Sequence, residues 1–490
     1  MNGITSFGLA VLLASLAVIA AVLSSRASER LRIPAPAFFL VAAAAASDIW
    51  PWLGRLSYST VQQSVTVALA VILFDGGMRM GWRRFRSAAV ATAWVGVTGT
   101  FVTAAAVAAA AHFLFSFGWR AALLMGTAIA PTDPAVVFSV LGRREISGRS
   151  GVLLEGESGA NDPVGIALLI ALLTASGTGP GAARQVAVEF VIQMAVGIVV
   201  GVVGGRMLLA FMRRVPLPSE GLYTLRVLAG ALAIYGLATI AHGSGFLAVF
   251  IAGILLGDEH APYKGEIAHF HSALASLAEI VAFVMLGLTV RLYALPHANA
   301  WLIGLALAVL LALVIRPVLV GALLWPVRLR RGERVFVLWA GLKGAVPILL
   351  GAFIVQAGAP DASRIYKIIF VVVAFSVIVQ GGTVPALARA MKVPLRTIEP
   401  EPWSIGIRFQ EKPENLHRFV VHARAPALGK PIGGLRLPED AWISFIIREG
   451  HLIAAHADTI LQPGDEVVVL AGDADEANLR EIFESQPGAG

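Results

Sequence analysis

Cysteine is absent from this chain of 490 residues, and charge is scarce, with Asp, Glu, Lys and Arg together making 14% of it. The first absence removes disulfides, thiolate metal sites and thiol redox chemistry, leaving His and carboxylate as the strong ligands. The second excludes an ordinary water-soluble globule, in which about 25% of residues are charged. Two motifs are missing as well. There is no GxxxxGK[ST] phosphate loop to couple the protein to ATP, and no TVGYG-like run to line a potassium filter with carbonyls.

What is present is 57% hydrophobic residues, gathered in apolar runs of about 20 residues, the length that crosses a bilayer. Thirteen spans are read near residues 4–24, 33–49, 61–78, 88–112, 120–141, 150–174, 186–211, 223–241, 245–257, 271–290, 301–325, 335–357 and 365–390. The fold class is therefore an all-α polytopic membrane protein. Basic residues follow every second span: Arg26, Arg30 and Arg32, then Arg79, Arg83, Arg84 and Arg86, then Arg143, Arg144 and Arg149, then Arg213 and Arg214, then Lys264, then Arg328, Arg330, Arg331 and Arg334. The alternate loops carry isolated Arg55, Arg120, Arg184 and Arg291. By the positive-inside rule the N-terminus lies outside a bacterial cytoplasmic (inner) membrane and the C-terminus in the cytoplasm. The net charge of +7 is thus a topology signal, and no nucleic-acid partner is implied. The first span lacks a cationic n-region and reads as a retained anchor.

Composition changes after residue 391. Pro394, Pro400, Pro402 and Pro413 punctuate a linker over 392–417, and ordinary charge returns in a module over 418–490. Arg418–Ala423, Ala441–Arg448 and Glu466–Leu470 read as strands, Gln462–Asp465 as a turn and Asp473–Glu484 as a closing helix. At roughly 70 residues this small α+β module is near the lower size for independent folding, which favours pairing as a homodimer.

Ionisable groups inside the apolar runs are costly and mark ion or proton paths. The sixth span carries Glu157-Ser158-Gly159-Ala160-Asn161-Asp162-Pro163 at mid-membrane. Helical spacing stacks Ser158 under Asp162 and Glu157 under Asn161, and Pro163 opens the helix locally. Either this cluster serves an ion or it is a polar knot that locks helices together. The fifth span carries Pro131-Thr132-Asp133-Pro134, and its two prolines predict a helix broken into halves with Thr132 and Asp133 at the gap. The twelfth span carries Gly341-Leu342-Lys343-Gly344-Ala345-Val346-Pro347, a second break with a charge, seven spans later. That odd offset predicts two inverted repeats whose broken helices cross at the midplane. Arg316 in the eleventh span needs a buried anion, and Glu157 is the expected partner, leaving Asp162 to exchange proton for cation. Asp75, in Phe74-Asp75-Gly76-Gly77, is either an ion-funnel acid or an interfacial residue. Glu279 is expected to bond a neighbouring helix. His242, His260, His269 and His271 show no metal-ligand spacing, and Gly197, Gly201 and Gly205 predict close helix packing.

On PTDP at 131–134, ESGANDP at 157–163, FDGG at 74–77 and GLKGAVP at 341–347, residues 4–391 resemble the cation/proton antiporter-1 family, and within it the bacterial NhaP-type exchangers with a cytoplasmic tail. The resemblance implies an NhaA-like antiporter fold with inverted repeats and two crossed discontinuous helices. It implies that Asp162 is the acid that binds cation and proton, that Ser158 and Thr132 help coordinate, that Asp133 lies at the crossing, and that Asn161 and Glu157 organise the site with Arg316. Members with Asn-Asp at this place are electroneutral, exchanging one cation for one proton. Lys343 stands where many members have Arg. The tail, through Leu461-Gln462-Pro463-Gly464-Asp465-Glu466-Val467-Val468-Val469-Leu470, resembles the C-terminal half of a regulator-of-potassium-conductance module, which implies a homodimeric sensor of a small regulatory ligand and favours potassium, with sodium next, as the transported ion. The expected activity is secondary antiport by alternating access, without enzyme chemistry, cofactor or resident metal. The rival is a potassium channel or uniporter gated by the same tail.

Overall fold

A computed structural model describes residues 34–397 and 416–484, apart from 51–52, 56, 142–143, 147, 176–178, 260–262, 297–298, 424, 436, 439–440, 449–450 and 473–475, together with Gly8, Leu12, Ser15 and Ile19. The expected first span apart from those four positions, the basic residues Arg26, Arg30 and Arg32, and residues 398–415 of the linker lie outside the described residues. The chain divides into a unit over 1–400 and a second over 401–490.

The first unit is helical. α1 (Ala35–Ile49) follows Pro34, and α2 (Tyr58–Ala93) starts at Ser57, whose hydroxyl accepts the Thr60 N–H at 3.0 Å. The expected third and fourth spans form one run, because α2 continues through a wide π-turn at Trp94–Thr98 into α3 (Gly99–Phe115). Gly81 interrupts that run with φ 63° and ψ 166°. Only glycine takes this conformation without strain, and a side chain there would strike the carboxylate of Asp258. The expected fifth span is broken into α4 (Trp119–Ile129) and α5 (Ala135–Leu141), followed by a short strand β1 (Arg144–Ile146).

α6 (Arg149–Thr174) runs unbroken through Pro163, so the expected local opening is confined to the one N–H that proline lacks. Next come α7 (Pro180–Arg214), α8 (Glu220–Ile240), α9 (Gly245–Gly257) and α10 (Lys264–Leu288). α11 (Ala300–Leu310) passes into a π-helical stretch, Leu311–Val320, that contains Arg316 and Pro317. The twelfth span is split into α12 (Arg331–Trp339) and α13 (Ala345–Gln356). The last is α14 (Ala362–Phe375), which continues through a π-turn into α15 (Gly382–Ala390). Strand β2 (Leu395–Thr397) then pairs antiparallel with β1. Among the described residues, six runs are long and apolar enough to cross a membrane: Tyr58–Phe115, Pro180–Arg214, Gly221–Ile240, Lys264–Leu288, Ala300–Leu323 and Ala362–Ala390.

Glycine lets these helices approach. A side chain at Gly197, Gly201 or Gly205 of α7 would meet Ser244, Ala248 or Ala252 at the start and along α9 at about 3 Å or less. Arg226 of α8, buried, gives hydrogen bonds to Val215 O at 2.7 Å and to Phe211 O and Met212 O at 3.4 Å, closing the carbonyl end of α7.

The second unit is a four-stranded antiparallel sheet in the order β3 (Leu416–Val420), β6 (Glu466–Leu470), β4 (Trp442–Arg448), β5 (His451–Ala454), closed by α16 (Glu476–Phe483). Phe419, Ile446, Val467, Val469, Leu479 and Phe483 form its core. Gly464, at φ 84°, makes the turn before β6, and the Asp465 carboxylate accepts the Gln462 N–H and two 2.8 Å hydrogen bonds from Arg448. The edge strand β5 was not foreseen from the sequence.

Candidate ion-exchange site

Each proline break releases backbone groups that must find partners in a region without water. At the first break Ala130 O would bond the N–H four residues on, but residue 134 is Pro. Lys343 takes the vacancy, its Nζ donating to Ala130 O at 2.7 Å and to Pro131 O at 3.0 Å. The next carbonyl, Thr132 O, accepts from Ser158 Oγ at 2.6 Å, and Thr132 Oγ1 accepts from Asn161 Nδ2 at 2.6 Å. The Asp133 N–H crosses to Leu342 O at 2.8 Å. The two breaks therefore meet, each supplying partners to the other, and both are clamped to α6 or to each other by short hydrogen bonds.

The glycines of the second break have a steric reason. A side chain at Gly344 would occupy the place of the Asp133 carboxylate, and one at Gly341 the place of the Arg316 guanidinium. Asp133 thus rests against the residue that opens α13, where the exposed N–H groups favour an anion. Lys343 rests on the carbonyl end of α4, where the helix dipole favours a cation.

Arg316 Nη2 lies 2.8 Å from Glu157 Oε1, and Arg316 Nε donates to Leu338 O at 2.8 Å. Both side chains are at most 5% exposed. Asp162 is 5% exposed, and its Oδ1 has no hydrogen-bond partner among the described residues. Two more buried oxygens on the same stretch of α6, Asn161 Oδ1 and Glu157 Oε2, share that condition. Buried polar atoms are nearly always satisfied. Three unsatisfied oxygens thus lie within six residues of one helix, and Ser158 Oγ, its hydrogen given to Thr132, keeps free lone pairs beside them. Because Pro163 has no N–H, the carbonyl of Gly159 loses its helical partner as well.

The structure brings Asp162, Ser158, Thr132, Asp133, Asn161, Glu157, Arg316 and Lys343 into this one constellation. Asp75 is elsewhere. It is buried on α2 and paired with Arg79 at 2.8 Å, beside a cavity of about 320 Å³ that Lys264, His269 and Ser272 also line. Glu279 departs from expectation, since its buried Oε1 makes no hydrogen bond among the described residues. His271 is fully buried with Nδ1 2.8 Å from Ile267 O, and no metal-holding cluster of His, Asp or Glu occurs among the described residues.

Sequence reasoning passed over Ser376 and Gln380. Ser376 Oγ accepts the Lys343 N–H at 2.9 Å and donates to Gln380 Oε1 at 2.8 Å, which holds the second break in place. Two polar residues four apart in an apolar span were the available signal. Also missed were Thr92 and Phe250, which fill the spaces left by Gly156 and Gly159 of α6.

Comparison with known proteins places this geometry. Residues 13–390 match the family described as "Sodium/hydrogen exchanger, transmembrane", and residues 416–484 match the TrkA-C domain. The chain is 33% identical over 484 residues to the K(+)/H(+) antiporter NhaP2 of Shewanella oneidensis, covering 97% of this chain and 83% of that protein. It is 30% identical over 488 residues to the K(+)/H(+) antiporter NhaP of Alkalimonas amylolytica, covering 98% and 84%. Among solved structures, the sodium proton antiporter MjNhaP1 of Methanocaldococcus jannaschii superposes with a TM-score of 0.64 at 22% identity, over 76% of this chain and 99% of that one.

Proposed function

This chain belongs to the sodium/hydrogen exchanger family, and we propose that it exchanges a monovalent cation, potassium first and sodium next, for a proton at Asp162. The observation that carries the reading is the buried Asp162 oxygen without a protein partner, inside a charge count that leaves one negative charge over. On α6, the two breaks and the stretch after α11 stand three carboxylates, Asp162, Asp133 and Glu157, and two cations, Arg316 and Lys343, while the buried Glu279 of α10, near Asp133 and without an ion-pair partner among the described residues, is counted as the neutral acid. Glu157 is neutralised by Arg316, and Lys343 balances a second carboxylate. One charge remains, which either one proton or one monovalent cation cancels. Leaving it bare in the membrane is costly, so the loaded states are the ones that cross, and the exchange is electroneutral at one for one.

Ser158, Thr132 and the carbonyl of Gly159 serve as further oxygen ligands to the cation. Asn161 holds Thr132 in register, and Lys343 and Asp133 hold the two breaks against each other. Asp75 serves the cytoplasmic funnel. Potassium ranks first because relatives named K(+)/H(+) antiporters match both the membrane part and the tail, over 97–98% of this chain. The membrane part over 1–391 consists of thirteen spans in two inverted repeats, placed in the bacterial inner membrane as a homodimer with the N-terminus outside. The tail over 418–490 is cytoplasmic and answers to a small regulatory ligand.

The test is dequenching of a pH dye in proteoliposomes with an acid interior, on addition of potassium, sodium or lithium chloride, in wild type and in Asp162→Asn. Cation-triggered proton efflux that persists when valinomycin clamps the potential, and is lost in Asp162→Asn, is the expected result. Potential-driven potassium uptake without proton movement would overturn it in favour of a channel.

A further inference from the structure

On the face that carries the basic loops, three separate elements converge on one open groove of about 1160 Å³. Arg84, Arg86 and Ser87 come from α2, Arg149 from the first turn of α6, and Arg328 from the segment after α11. The floor is apolar, made by Val90, Ala91, Trp94, Val152 and Leu153. Among the described side chains, no Asp or Glu lines it. Glu155, in the second turn of α6, pairs with Arg84 at 3.3 Å, and among the described residues no carboxylate pairs with Arg86, Arg149 or Arg328. All three are exposed.

We propose that this groove binds one anionic phospholipid of the adjoining leaflet, its phosphate held by Arg86, Arg149 and Arg328 and one acyl chain laid along Val90, Ala91 and Trp94. The charge argument is direct. Three unpaired guanidiniums at one cavity repel one another and match a phosphate, to which each can give paired N–H bonds. The level in the bilayer is marked by Trp94, which is 46% exposed with its indole N–H on Leu323 O at 3.2 Å, and by Trp325, 78% exposed under the Arg334 guanidinium. Tryptophan with a polar tip and an apolar body settles where headgroups meet chains. Basic clefts between membrane helices at that depth hold acidic headgroups. Val90 is 86% exposed, so the apolar floor reaches lipid rather than water. Positive-inside bias alone explains arginines in loops. It does not require three of them, from three segments, to share one groove that has an apolar floor and no acid among its described side chains.

The site also couples to the exchange machinery through covalent continuity. Arg149 opens the helix that carries Glu157 and Asp162, and Arg328 follows the stretch that carries Arg316. A lipid bridging the two would hold their ends together.

The experiment is native mass spectrometry of the full-length protein released from micelles doped with equal amounts of phosphatidylglycerol and phosphatidylcholine, for wild type and for Arg86→Gln/Arg149→Gln/Arg328→Gln. The proposal expects at least one phosphatidylglycerol retained at high collision energy by wild type, about tenfold less by the triple variant, and no change in phosphatidylcholine. A control variant, Arg213→Gln/Arg214→Gln, removes basic charge from the same face outside the groove and should keep the lipid. Equal loss in control and triple variant would show a diffuse surface charge effect and overturn the site, as would retention unchanged in the triple variant. Displacement of the lipid by millimolar inorganic phosphate would overturn the lipid as occupant in favour of a soluble anion. A triple variant that elutes as aggregate is replaced by the single changes, at least one of which should lower retention of the lipid, and retention unchanged in all three singles would overturn the proposal.

Discussion

Neutralising either member of the Arg316–Glu157 pair should cost more than removing both charges. The pair is 2.8 Å apart with both side chains at most 5% exposed. Glu157→Gln keeps shape and leaves a buried guanidinium without a counter-charge, and Arg316→Met leaves a buried carboxylate in the same state. Breaking a buried pair from one side costs about 3–5 kcal/mol. The double change Glu157→Gln/Arg316→Met leaves no bare charge. Its main loss is the bond from Arg316 to Leu338 O, and an unsatisfied buried carbonyl costs about 1–3 kcal/mol. The double variant should therefore be more stable than either single by about 2 kcal/mol, the difference of those two ranges. The assay is the thermal midpoint of the detergent-solubilised protein, followed by the monodisperse peak on size exclusion after heating. The expected order is wild type, then double, then the two singles. A double variant whose midpoint falls by the sum of the singles would refute the reasoning, because the two side chains would then act independently.

Two further outcomes follow from the same geometry. Gly344→Ala places a methyl group where the Asp133 carboxylate lies; overpacking of this kind costs about 1–3 kcal/mol, and the thermal midpoint should recover part of that loss when Asp133→Ala is added. If proton and cation compete for Asp162, the cation concentration for half-maximal exchange should rise toward about tenfold per unit of falling pH at acidic pH, with the maximal rate unchanged, by mass action at one site; a half-saturating concentration that does not move with pH would contradict a shared carboxylate.

The features legible in the sequence were those that violate the rules of an apolar environment. A carboxylate, a lysine or a proline inside a bilayer-length run stands out without knowledge of the fold, and so PTDP, ESGANDP, GLKGAVP and Arg316 could be read as a set. The pairing of Arg316 with Glu157 followed from charge alone. What could not be read depends on neighbours distant in the chain. Gly341 and Gly344 looked like helix breakers, and only the positions of Arg316 and Asp133 give them a steric reason. Ser376 and Gln380 are polar in a permissive way, and their use on the Lys343 backbone appears only when the last span is packed against the second break. Pro163 opens α6 only by the one N–H it lacks and the Gly159 carbonyl this leaves, since the helix runs on unbroken through it to Thr174. The edge strand β5 follows its partner β4 closely and depends on that pairing more than on its own pattern.

The hydrogen bonds also divide the membrane unit into parts that must move together and parts that need not. Thr132 ties the first break to α6, Lys343 ties the second break to the first, and Arg316 ties α11 to α6 and, through Leu338 O, to α12. Toward α9, α6 presents Gly159 against the ring of Phe250, a smooth apolar contact. Beside it a cavity of about 800 Å³ opens between Ala160 and Val164 of α6 and Met194, Ile198 and Val202 of α7. A boundary with a void and an apolar face on each side slides more readily than one crossed by buried ion pairs, so alternating access should carry the bonded group as one body past α7 and α9. Because the chain has no cysteine, the prediction can be tested without background. Cysteines at Ala160 and Ile198, joined across the cavity by a short bifunctional thiol reagent, should stop cation-dependent proton flux, and a reductant that cleaves the bridge should restore it. Cysteines at Val202 and Ile251, which line the same cavity from α7 and α9, should cross-link without stopping it. Full flux with the first pair completely cross-linked would mean that the site changes its exposure without movement at this boundary.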